Sequence, residues 1–80
     1  MSQVLSVYIT AGDLAEAEKI AQALVDERLA ACVNIFDGVR SVFRWQGSVQ
    51  SGREVVMIAK TVEERFDDLR ERVIELHSYE

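Results

Sequence analysis

The amino-acid sequence predicts an α+β protein, a two-layer sandwich of one sheet and two helices, folded as a single domain over residues 1–80. Two segments carry apolar side chains at helical spacing, and each opens on Asp or Thr with a Glu three positions later. Three other segments are strand-like, being rich in alternating or β-branched apolar residues. The resulting order is β-α-β-β-α, and such elements hide their apolar faces by stacking in two layers.

Along Val4 to Ile9, Val4, Ser6 and Tyr8 fall on one face and Leu5, Val7 and Ile9 on the other. Both faces are largely apolar, which predicts a central strand covered on at least one side. Gly12-Asp13 breaks the pattern. Asp13 is placed to accept from the first unsatisfied amides of a helix, and Glu16 completes a capping box. Leu14, Ala17, Ile20, Ala21, Leu24 and Val25 form its apolar stripe, Glu16 is expected to face water, and the helix is expected to end near Leu29-Ala30.

Ala31 to Phe36 reads as a short strand, and Asp37-Gly38 as a bulge or bend before alternation resumes through Trp45. Gln46-Gly47-Ser48 suits a tight turn. A partner strand then runs to Ile58-Ala59, with an irregularity expected at Ser51-Gly52. The product is a long, bent hairpin, longer than one helical layer covers. Thr61 is expected to cap the second helix with Glu64, whose stripe is Val62, Phe66, Leu69, Val73 and Leu76. This element order is a ferredoxin-like split βαβ without its final strand.

A chain of eighty residues buries only about 60–65% of its unfolded surface. Such a core alone supplies roughly 3–5 kcal/mol, so small domains add disulfides, a metal or partner subunits. Cys32 is the only cysteine, which excludes an internal disulfide. The remaining means are a metal, self-association or unusually tight packing. Lys and Arg are scattered in a chain of net charge −5, which argues against nucleic acid as a partner. The amino end has no basic leader and no apolar run reaches bilayer length, so no membrane association and a cytoplasmic address are expected.

Several fragments carry more specific information. They are Tyr8-Ile9-Thr10-Ala11, Ile20-Ala21, Leu24-Val25, the run Glu27 to Asn34, Val39, Ser41, Trp45-Gln46-Gly47, Glu54, Lys60-Thr61 and Leu76 to Glu80. Together they resemble the CutA divalent-cation tolerance family over essentially the whole chain. That resemblance implies a ferredoxin-like subunit, a homotrimer built by strand pairing between hairpins, and a role in divalent-metal tolerance with copper as the ion. Two departures stand out. Ser78 occupies the position of a family proline, and the chain stops at Glu80 where relatives continue with a further strand. The first strand is therefore expected to be an exposed edge and the trimer contacts to be altered.

Cys32 and His77, the only cysteine and the only histidine, sit where the resemblance places metal ligands, with Glu80 three residues beyond His77. Thiolate and imidazole together suit copper or zinc. They cannot close a tetrahedral site alone, so further donors from Glu80, Tyr79, water or another subunit are needed. A second reading stands for each. Cys32 would be a buried, inert thiol, and His77 would complement the last carbonyls of a helix. Trp45 and Tyr79 suit packing against a neighbouring subunit or a ligand cage. Lys60, next to Thr61, suits an anion, or an ion pair with Glu54 or Glu80.

The leading function is thus a metal-binding homotrimer; the alternative is a trimeric signalling module that binds a small anion between subunits, argued from fold analogy. Catalysis is not expected. A Cys-His hydrolase needs its nucleophile within reach of the base and an orienting group, and Asn34 lies on the same predicted strand as Cys32. Acylphosphatases share the fold, but the loop Thr10-Ala11-Gly12-Asp13 carries an acid where they use an arginine.

Overall fold

A computed structural model describes residues 3–77. Strand β1 (Val4–Ala11) is followed by helix α1 (Leu14–Asp26), the long strands β2 (Cys32–Trp45) and β3 (Ser48–Val62), a 3-10 turn (Glu63–Arg65) and helix α2 (Phe66–Leu76). The sheet order is β1-β3-β2, both pairs antiparallel, so the connection through α1 brings β2 parallel to β1 with β3 between them. This is the split βαβ arrangement. The central strand is β3, and among the described residues β1 is an edge. The expectation of a central β1 is corrected: its apolar residues reflect one covered face plus an open face that is also apolar.

Alternation determines which residues reach the helices. Ile9 and Ala11 of β1, Val33 and Ile35 of β2, and Val55, Met57 and Ala59 of β3 meet Ala17, Ile20, Ala21 and Leu24 of α1 and Leu69 of α2. In β3 the inward series continues to Thr61, which is buried and donates its hydroxyl to the Leu29 carbonyl at 2.7 Å. Thr61 therefore caps no helix. The turn after β3 begins at Val62 without a side-chain cap.

Asp13 caps α1 as expected, its Oδ1 accepting from the Glu16 amide at 2.8 Å. The helix stops at Asp26, short of Leu29-Ala30. Leu29 N–H donates to the Leu24 carbonyl at 2.9 Å, and Arg28 N–H to that of Val25 at 3.1 Å. This pair of hydrogen bonds is a Schellman termination, and it places Arg28 in left-handed backbone at φ 62°.

The hairpin is long and bent. Phe36 pairs with Val56 but Val39 with Glu54, so Asp37-Gly38 forms a bulge, with Gly38 at φ 73°. Trp45 pairs with Ser48 across the two-residue turn Gln46-Gly47, whose φ values of 49° and 81° are those of a type I′ turn. No irregularity occurs at Ser51-Gly52, which pair in register with Val42 and Ser41. The hairpin projects past the helices and gives dimensions of 44 × 25 × 23 Å. The radius of gyration is 13.7 Å, against about 12 Å for a compact chain of this length.

The two helices are clasped at one end. Arg72 of α2 donates from Nε and an Nη to the two carboxylate oxygens of Glu27, at 2.9 and 2.8 Å, and also reaches Glu75 at 3.2 Å. These hydrogen bonds, followed by the charge of the guanidinium, hold the Glu27 carboxyl below the usual carboxylate range. A depressed carboxylate adds stability above its unfolded pKa, and that stability is lost as pH falls through the folded value. Glu27→Gln is accordingly expected to lower the urea midpoint at neutral pH. The gap between the two proteins should narrow as the pH falls below the ordinary carboxylate range and the Glu27 carboxyl takes up its proton; a gap of equal size at neutral and acid pH would contradict the assignment.

Candidate functional site

The helices cover one face of the sheet and leave the other open. On the open face the rows are Ser6-Lys60-Cys32, Tyr8-Ile58-Asn34 and Thr10-Val56-Phe36, with Val4 beside Val62 at the end. Val4, Tyr8 and Phe36 are 73%, 63% and 51% exposed. The expectation of a buried Cys32 is corrected: the thiol is exposed. The sequence around it is apolar, but Val33 and Ile35 take the inward positions, so Cys32 points outward one step before them.

His77 lies elsewhere. It follows the end of α2, and its Nε2 donates to the Thr10 carbonyl on β1 at 2.7 Å. A carbonyl only accepts, so Nε2 carries the proton. The other ring nitrogen, Nδ1, is 4.0 Å from a Glu16 carboxylate oxygen. The second oxygen of Glu16 accepts from the Gly12 amide at 3.0 Å. Glu16, expected in water, is thus largely enclosed between the start of α1 and His77.

Cys32 and His77 are not brought together within one subunit. Thr10 is four residues along β1 from Ser6, the β1 member of the Cys32 row. That is about 13 Å along the strand and roughly 10 Å across two strand spacings. Donors on one ion are separated by no more than about 4 Å, since zinc-type bonds are near 2.0–2.3 Å. Lys60, the neighbour of Cys32 in its row, also opposes an approaching cation. Among the described residues no three His, Cys, Asp or Glu side chains gather as metal ligands would. Glu80 and Tyr79, also expected at the site, lie outside the described residues, as does Ser78. The described residues of one subunit therefore do not fit a closed metal site.

Trp45 ends β2 at the hairpin tip and is exposed, as a residue awaiting a packing partner would be. Lys60 and Thr61 instead line an open cleft of about 480 Å³ at the end of the sheet, together with Arg28, Arg65 and the apolar side chains of Val4 and Val62. That volume lies within the range of small-molecule sites, about 300–1,000 Å³. Glu54, offered as a partner for Lys60, is six residues away on the same strand, about 20 Å, so the pair does not form within one subunit. Sequence reasoning missed Arg28 and Arg65 as members of this cleft. The signal for Arg28 is only partial: a helix ending without a glycine, followed by a basic residue.

The geometry defines a ferredoxin-like subunit with an open, partly apolar sheet face and an overlong hairpin. Solved structures share it. The divalent cation tolerance protein Cut A1 of Thermus thermophilus superposes with a TM-score of 0.89 at 47% identity, over 96% of this chain and 75% of that one. The Archaeoglobus fulgidus structure, named as a periplasmic divalent cation tolerance protein CutA, gives 0.87 at 45% identity, over 96% and 74%. In sequence, the CutA proteins of Archaeoglobus fulgidus and Thermus thermophilus are 48% and 49% identical over 73 residues, which is 91% of this chain and 71% of each relative. The profile of the CutA1 divalent ion tolerance protein family matches residues 5–80. The chain belongs to that family.

Proposed function

We propose that this protein serves divalent-cation tolerance as a homotrimer, without catalysis, and that a divalent ion such as copper meets it between subunits. The observation that carries this reading is the open sheet face, on which exposed Tyr8 and Phe36 lie beside an exposed thiol. A single subunit that leaves large side chains in water on one face gains by covering them with further copies. Cys32 of one copy then needs donors from a neighbour, and His77 and Glu80 of that neighbour are the residues proposed. The cytoplasmic address belongs to the same proposal and rests on the single thiol, which has no second cysteine to pair with.

Light scattering joined to calorimetric titration tests both parts. The expected results are a mass three times that of the chain and Cu²⁺ binding that Cys32→Ala weakens roughly tenfold or more, the scale of losing one good ligand or its support. Equal affinity in wild type and Cys32→Ala would remove the thiol from the site. A mass equal to one chain would remove the shared site altogether.

A further inference from the structure

Arg28 occupies a backbone position where glycine is the unstrained residue. It is the first residue beyond the α1 cap, at φ 62°, with both Schellman hydrogen bonds formed around it. The chain accepts that strain and carries a long cation there, and Arg28 lines the cleft at the end of the sheet. Strain retained at one residue points to a use for its side chain.

The charges around the cleft are also unusual for this chain. The protein has 9 Lys and Arg against 14 Asp and Glu, yet Arg28, Lys60 and Arg65 all line one opening. None of the three side chains has an ion-pair partner among the described residues. Glu27, next to Arg28 in sequence, is committed to Arg72 on the other helix. The cleft also has an apolar lining, to which Val4, Val25 and Val62 contribute. Three cations without counter-ions repel one another, and a multiply charged anion relieves that repulsion. Arginine matches the oxygens of a phosphate with paired N–H donors, and a phosphate offers three such oxygens.

We propose that this cleft binds a small organic phosphate, its phosphate group held by Arg28, Lys60 and Arg65 and its less polar body resting on Val4, Val25 and Val62. The proposal needs no ion, and it requires that the end of the sheet at Val4 and Val62 stays open where other copies cover the rest of that face.

Phenyl phosphate is the probe, titrated into the intact protein with a chelator present and followed by amide NMR shifts and calorimetry. Saturable binding is expected, with shifts at Arg28, Lys60 and Val62. Inorganic phosphate should bind more weakly for want of the apolar contact, and benzoate more weakly because it brings a single negative charge and two oxygens in place of three. Arg28→Gly should weaken the probe by roughly tenfold or more, as expected for a lost charge-assisted contact. Its melting temperature should be unchanged or raised, because glycine relieves the left-handed strain. Arg65→Gln should weaken binding similarly from a residue with no such backbone role. Unchanged affinity in both variants would overturn the proposal, as would the absence of saturation in wild type. It would equally fail if Arg28→Gly lowered the mass of the particle, since the cleft would then be filled by another copy of the chain.

Discussion

Leu24→Ala is expected to destabilise the protein by about 2–5 kcal/mol, the range for removing a large aliphatic side chain from a core that relaxes only in part. Leu24 is fully buried, and among the described residues large side chains buried to that degree are few: Ile20, Leu24, Met57 and Leu69. A core of this size supplies roughly 3–5 kcal/mol in total, so the single substitution removes a quantity comparable to the whole. Its position makes compensation difficult. The Leu24 carbonyl accepts from both Leu29 and Ala30 at the end of α1, so collapse around the new cavity would disturb the termination that places Arg28. Urea denaturation of Leu24→Ala beside Val25→Ala provides the check. Val25 is the next residue on the same helix and is 40% exposed, and its variant should lose less than about 1.5 kcal/mol. Equal losses at the two positions would mean that the buried face of α1 is wrongly assigned. Where subunits associate, stability rises with protein concentration, so the two variants must be compared at one concentration.

The order of elements is legible in the sequence because each is locally consistent. Asp13 and Glu16 mark the start of α1, Gly38 marks the bulge, and Gln46-Gly47 marks the turn, and all three stand where those residues belong. The discrepancies come from residues whose local chemistry allows two uses. Thr61 with Glu64 has the spacing of a capping box, but the alternation Val55, Met57, Ala59 carries one position further, and the buried hydroxyl finds the Leu29 carbonyl instead. Helix α1 ends earlier than its apolar spacing suggests because the left-handed position that stops it holds an arginine, while the usual marker is glycine. Ser51-Gly52 has the composition of a break in the strand, yet a regular partner in β2 overrides the weak strand preference of glycine. The candidate site is less legible for a geometric reason. Residue type nominates Cys32 and His77, but only the strand register shows that they sit on different rows and different sides of the sheet. The cleft around Lys60 joins the end of α1, the end of β3 and the turn after it, and no local pattern announces residues so far apart in sequence.

The open face yields the other large effect. Tyr8→Lys combined with Phe36→Lys is expected to reduce the particle from the proposed three chains to one while leaving each chain folded. Both side chains are more than half exposed in the single subunit and lie outside the core between sheet and helices. Exposed substitutions of this kind change subunit stability by no more than about 0.5 kcal/mol. Their consequence for assembly is far larger. Fully burying a large apolar or aromatic side chain is worth about 1.5–3 kcal/mol; with about half of each side chain left to cover, two such residues in each of three copies contribute roughly 5–10 kcal/mol before any loss of freedom is counted. Association itself costs about 4–15 kcal/mol, so removal of that contribution is enough to turn the balance. Six added lysines facing one another across an enclosed interface would then oppose it directly. The measurement is the solution mass by light scattering, with circular dichroism to confirm that the chain remains folded. A folded double variant with the mass of the wild type would show that the copies meet elsewhere, with the projecting hairpin and its exposed Trp45 as the next surface to alter. An unfolded variant would show instead that the face is needed for the subunit itself, and that folding and assembly are a single event.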